Sequence, residues 1–282
     1  MTFLEKLLAA SRRNNSLICV GLDPEYTQIP SHLRNHPDPI LSFNRAIIEA
    51  TADFVCAYKP NLAFYEALGP AGLITLQETL RLIPQHIPTI GDAKRGDVPN
   101  TARQHARALF EVYGFDAITV NPYLGRDSLQ PFLDYRDKGV FVLCRTSNPG
   151  ARDLQDAHVN EGKTEQEPLY ERVARQVLEW NTATGNAGLV VGATYPEELQ
   201  RIRQMAPGLP LLIPGIGAQG GNLLSAARDG ADAAGERAII SISRSIIYAS
   251  SGHDFAESAA QVTRRLRDTT NQARHQPTQR AK

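Results

Sequence analysis

The densest chemistry in the chain lies in one short stretch, Gly91-Asp92-Ala93-Lys94-Arg95-Gly96-Asp97-Val98-Pro99-Asn100-Thr101. If a strand ends near Lys94, side-chain alternation puts Ile90, Asp92 and Lys94 on one face, with the two charged groups nearest its carboxyl end. A carboxylate beside an ammonium favours the charged form of both, and such an ammonium can meet developing negative charge or deliver a proton. Plainer roles stand beside this one. Asp97 suits a helix cap ahead of Pro99, Asp92 and Lys94 can form a structural ion pair, and Arg95, on the opposite face, can brace a neighbouring helix. A buried ion pair is costly unless something uses it, which favours the functional reading.

Other candidates lie far away in sequence. Lys59 precedes Pro60 and adds a second ammonium, although a lone lysine at a strand end commonly reaches for solvent. Asp23 precedes Pro24, a pairing that also starts turns. The run Gly215-Ile216-Gly217-Ala218-Gln219-Gly220-Gly221 resembles a dinucleotide-binding glycine pattern, but it comes too late in the chain for a Rossmann half to be built around it. A glycine loop there and Arg244 beyond it suit a phosphate, held by backbone N–H groups and a guanidinium fork; the alternative is a tight turn and a surface arginine. Ser147 has no local base partner and reads as a ligand donor or a turn residue, not a nucleophile. The seven histidines show no metal-ligand spacing, so no metal is expected.

These residues need a scaffold that brings them to one place. Short apolar runs alternate with amphipathic stretches, the mark of repeated βα units around a parallel sheet. Eight strands are predicted, at 17–22, 54–59, 89–94, 117–121, 140–145, 187–192, 211–214 and 238–243. Helices are predicted at 39–51, 73–82, 99–113, 168–182, 197–205 and 222–229, after an amphipathic N-terminal one over 1–10. Asp23, Lys59, Asp92, Lys94, Asn121, Arg145 and Arg244 all fall at or just after a strand's carboxyl end. In a closed (β/α)8 barrel those ends share one face, where such folds place their chemistry. The expected architecture is α/β, one barrel domain over 1–263, followed by a polar basic tail over 264–282. The tail reads as a solvated terminus, and the polar loop 148–167 reads as a lid.

Composition narrows the partners. Of 282 residues 42% are hydrophobic, and 30 basic side chains balance 30 acidic ones. That excludes disorder and leaves no global field to draw in nucleic acid or a membrane surface. No apolar run approaches the roughly 20 residues that span a bilayer. Three cysteines without framework spacing, each in an apolar run, point to a reducing compartment, and a cytoplasmic protein is expected.

Taken together, Val20-Gly21-Leu22-Asp23-Pro24, Tyr58-Lys59-Pro60-Asn61, Asp92 to Asp97 with Thr101, Thr146-Ser147-Asn148-Pro149-Gly150, the glycine loop and Ser243-Arg244-Ser245-Ile246 resemble, in order, the orotidine 5′-phosphate decarboxylase family, in its longer bacterial form. The likeness runs from the first strand to the eighth. It implies a TIM barrel, decarboxylation of orotidine 5′-phosphate to uridine 5′-phosphate at the end of de novo UMP biosynthesis, no cofactor, and a homodimer with sites at its interface. It assigns Lys59, Asp92, Lys94 and Asp97 to a catalytic charge network, with Asp97 and Thr101 reaching the neighbouring subunit's site. Asp23 is expected on the ribose, Ser147 on the pyrimidine, and Gln219 and Arg244 near the phosphate. One departure is Ser243, where short members commonly have glycine. The rival readings are a Schiff-base aldolase or a metal-dependent sugar-phosphate decarboxylase or epimerase on the same barrel, and a barrel that binds nucleotides without catalysis. A Schiff-base lysine must lose its proton readily, which flanking carboxylates oppose.

Overall fold

The computed structural model describes residues 1–160, 166–217 and 220–276. Eight parallel strands form one sheet: β1 (Ile18–Leu22), β2 (Ala57–Pro60), β3 (Ile90–Arg95), β4 (Ala117–Val120), β5 (Gly139–Arg145), β8 (Ala187–Val191), β9 (Leu211–Ile213) and β10 (Ala238–Ile242). A small antiparallel pair, β6 (His158–Val159) and β7 (Glu167–Pro168), lies within the loop after β5. The sheet order is β2-β1-β10-β9-β8-β5-β4-β3, and single parallel bridges from Tyr58 to Thr89 and from Asn61 to Asp92 join its two edges. The sheet therefore closes on itself, and each predicted strand is found within three residues of its expected ends.

Helices α1 (Phe3–Arg13), α2 (Pro39–Thr51), α3 (Leu62–Glu66), α4 (Gly69–Leu82), α5 (Pro99–Arg107), α6 (Arg126–Leu133), α7 (Leu169–Thr184), α8 (Pro196–Met205), α9 (Leu223–Gly230), α10 (Arg244–Ile247) and α11 (Phe255–Ala273) fall before and between the strands and after the last of them. Local chemistry sets their ends. Thr2 and Glu5 form a reciprocal capping box on α1, and Asp38 caps α2 ahead of Pro39. One correction concerns the C-terminus. The boundary expected at 263 falls inside α11, which buries Thr263, Thr270 and Ala273 against the barrel, so the basic residues up to Ala273 lie along a packed helix. No helix among the described residues is long and apolar enough to cross a membrane.

Two apolar layers result. One lies between sheet and helices. The other fills the barrel's lower interior with one residue per strand, Cys19, Ala57, Ile90, Ala117, Phe141, Val190, Leu212 and Ile239, and α1 closes it from below with Phe3 and Leu7. The Phe3 ring meets Phe141 edge-on, centroids 5.6 Å apart. Cys19 and Cys144 are free and buried, and burial pushes both thiols up to about 12, so they act as small apolar side chains.

Candidate active site

Because side chains alternate along a strand, the layer above the apolar floor consists of the residues two positions further on. From Ala57, Ile90, Ala117, Phe141 and Ile239 that step leads to Lys59, Asp92, Thr119, Leu143 and Ser241, and all five line a cavity of about 520 Å³ at the carboxyl ends of the strands. Asp23, Asn61, Lys94, Ser147, Gly215, Ser243 and Arg244 complete its walls from the following loops. The volume suits a small organic ligand.

Asp92 sits at the centre of the charge network. Its Oδ2 accepts from Lys59 Nζ at 2.8 Å and its Oδ1 from Lys94 Nζ at 2.5 Å, while the Thr119 hydroxyl donates to Oδ1 at 3.0 Å. The side chains of Lys59 and Asp92 are almost shut off from solvent, whereas Lys94 is half-exposed at the mouth. Burial alone would neutralise this pair, but the mutual field outweighs it. Despite desolvation, Asp92 and Asp23 hold the Lys59 ammonium above the usual lysine range. Despite the same burial, Lys59 and Lys94 hold the Asp92 carboxyl well below the usual carboxylate range.

Lys94 reaches this position through an irregular backbone. Between Gly91 and Arg95 the pairing with β4 slips, and Lys94 adopts φ +48°. For a lysine this left-handed conformation costs about 1 kcal/mol or more. Regular alternation, as the sequence suggested, is therefore not what brings Asp92 and Lys94 together; a bulge does so. Arg145 shows the opposite outcome. A slip between Leu143 and Arg145 in the pairing of β5 with β8 keeps it out of the cavity, and it is fully buried against the Tyr195 ring with Asp156 3.2 Å away.

The remaining expected residues divide into three groups. Asp23, Ser147 and Arg244 line the cavity with Lys59, Asp92 and Lys94. Asp23 accepts from the Asn61 backbone N–H at 3.2 Å, which ties β1's exit to β2's. Ser147 lies so close to the end of β8 that a Cβ on Gly192 would stand 2.8 Å from its Cα, a gap only glycine leaves open. Arg244 opens α10 beside the glycine loop, where Gly215, Gly217 and Gly220 all take positive φ. Asp97 and Thr101 do not line this chain's cavity. Asp97 is not the cap of α5 either; Val98 holds that position, and Asp97 accepts from the Val98 N–H at 2.7 Å. Gln219 lies outside the described residues, as do 161–165 of the polar loop.

Sequence reading passed over Thr119 and Gln155, both of which line the cavity. Thr119 carried a usable signal, since it lies two residues above inward-facing Ala117. Gln155 carried none. It folds back from the loop to accept from the Thr146 N–H and donate to the Thr146 hydroxyl, both at 2.8 Å, and so braces the residue before Ser147.

Comparison with known proteins agrees with this geometry. Residues 16–259 match the profile of the orotidine 5′-phosphate decarboxylase / HUMPS family. The orotidine 5′-phosphate decarboxylase of Thermomicrobium roseum is 53% identical over 274 residues, covering 97% of this chain and 96% of that protein. That of Herpetosiphon aurantiacus is 52% identical over 261 residues, covering 92% and 94%. Among solved structures, Leishmania donovani OMP decarboxylase superposes with a TM-score of 0.81 at 39% identity, over 96% of this chain and 99% of that one. With its closed barrel, its charged strand ends and likeness along nearly its whole length, the chain belongs to the orotidine 5′-phosphate decarboxylase / HUMPS family.

Proposed function

We propose that this protein decarboxylates orotidine 5′-phosphate to uridine 5′-phosphate and carbon dioxide, the last step of de novo UMP biosynthesis. The observation that carries this reading is the Lys94 ammonium held 2.5 Å from Asp92 in a cavity that Gly215, Ile216 and Arg244 also line. Breaking the bond from C6 to the carboxylate releases carbon dioxide and leaves an electron pair on C6. Lys94 faces that charge and donates the proton that completes uridine 5′-phosphate, and solvent then reprotonates the amine. The scheme requires neither metal nor organic cofactor.

Lys59 and Asp92 hold Lys94 in place, Asp23 takes the ribose, Ser147 the pyrimidine, and Arg244 with Gln219 the phosphate. The phosphate is remote from the breaking bond, so its binding energy can serve positioning and closure. Asp97 and Thr101 complete the site of a second subunit in a homodimer. Their place outside this chain's own cavity supports that arrangement, as do the exposed apolar side chains of Val98, Tyr123 and Leu124 after β3 and β4. We place the enzyme in the cytoplasm, on its free buried thiols.

The test is to supply orotidine 5′-phosphate and follow carbon dioxide release against uridine 5′-phosphate formed. Equimolar products, insensitive to chelator and without borohydride trapping, are expected. A protein that binds the nucleotide but releases no carbon dioxide would be a binding barrel, and the proposal would fall.

A further inference from the structure

We infer that Thr119 is a positioning residue for this reaction: its one hydroxyl fixes the β3 bulge that aims Lys94 and Asp92 into the cavity. The inference rests on the role proposed for Lys94. In the ladder between β3 and β4, Gly91 pairs with Ile118 and Arg95 with Val120, so Asp92, Ala93 and Lys94 together face Thr119 alone. A bulge of this kind leaves backbone N–H groups without a ladder carbonyl, and buried N–H groups must find an acceptor.

Thr119 supplies it. Its Oγ1 accepts from the Ala93 N–H at 3.1 Å and from the Lys94 N–H at 3.0 Å, and donates its proton to Asp92 Oδ1 at 3.0 Å. Two lone pairs and one proton are the full capacity of a hydroxyl, and all three are used. The carboxylate oxygen that receives the proton is the same one that holds Lys94 Nζ. One buried atom, 2% exposed as a residue, thus fixes both the left-handed backbone of Lys94 and the carboxylate that holds its side chain. Thr119 itself need not touch the reacting atoms. It acts by keeping the ammonium where C6 must lie, and displacement of a catalytic group by as little as 1 Å can cost about 10²-fold in rate.

The experiment compares steady-state decarboxylation by Thr119→Val, which keeps the shape, with Thr119→Ser, which keeps the hydroxyl, and runs Lys94→Ala in parallel. Thr119→Val is expected to lower kcat about 10²-fold while KM stays within about threefold, and Thr119→Ser to recover most of that loss. A kcat loss below about tenfold in Thr119→Val, a loss carried mainly by KM, or a serine variant no faster than the valine one would overturn the inference. If Thr119→Val is not obtained folded, Thr119→Cys takes its place under the same criteria. Lys94→Ala separates the two layers of reasoning: if it keeps turnover the Lys94 mechanism fails, whereas its loss beside an unimpaired Thr119→Val removes only the role of Thr119.

Discussion

Lys59 grips the Oδ2 of Asp92 at 2.8 Å with both side chains nearly closed to water, and this leaves the other oxygen of the same carboxylate for Lys94. One acid thus organises two ammonium groups, one buried and one facing the mouth. The buried pair is a fixed strut, and the exposed partner is the one free to meet a ligand.

Replacing Lys94 should therefore remove chemistry more than affinity. Lys94→Ala is expected to lower kcat for orotidine 5′-phosphate by about 10³-fold or more, with product affinity changed far less. Stopped or steady-state spectrophotometry with parallel titration of uridine 5′-phosphate gives both numbers, and near-parental turnover would remove the mechanism.

Asp92→Asn should instead damage the fold. It leaves Lys59 charged and buried without its partner, a loss of about 3 kcal/mol. The pH dependence has a definite sign. The folded Asp92 carboxyl lies below its unfolded value, so its contribution is complete above about pH 5 and fades as pH falls through about 4 and below. Urea unfolding of parent and variant should show a gap at pH 7 that narrows by about 1 kcal/mol at pH 3. A gap that widens with acid would contradict the ionised pair.

Arg244 can be tested through the substrate. Arg244→Ala should raise KM for orotidine 5′-phosphate by about 10²-fold, as expected for losing a charge-assisted phosphate contact. Orotidine, which lacks the phosphate, should turn over poorly with the parent and no worse with the variant. Equal damage to both substrates would place Arg244 somewhere other than the phosphate.

The proposed sharing of the site between two subunits has a test of its own. Lys94→Ala and Asp97→Ala proteins, each inactive alone, should regain up to about a quarter of parental activity when unfolded together and refolded, because a mixed dimer holds one site free of both lesions. No recovery, with mixed dimers present by mass, would place Asp97 and Lys94 in the same chain's site.

Much of this was legible in the chain because a barrel obeys local rules. Strand alternation lifts Lys59, Asp92 and Ser241 above Ala57, Ile90 and Ile239, and each strand's apolar run marks its own length. What stayed hidden depends on distant partners. The left-handed Lys94 needs a hydroxyl from β4, and the exclusion of Arg145 follows from a slip against β8. Residues 264–273 looked like a tail because they are polar and carry three arginines against one aspartate, yet Thr270 and Ala273 continue the buried face of Phe255, Ala259 and Thr263. Asp97 and Thr101 lie outside this chain's own cavity.

The first helix carries a further consequence. Phe3 and Leu7 pack onto the apolar floor of the barrel, at the end away from the charged layer. Because that floor is filled with apolar side chains, a ligand meets the charged layer from the carboxyl ends of the strands, and a bulkier or smaller side chain at Phe3 would be felt as stability before it was felt at the cavity.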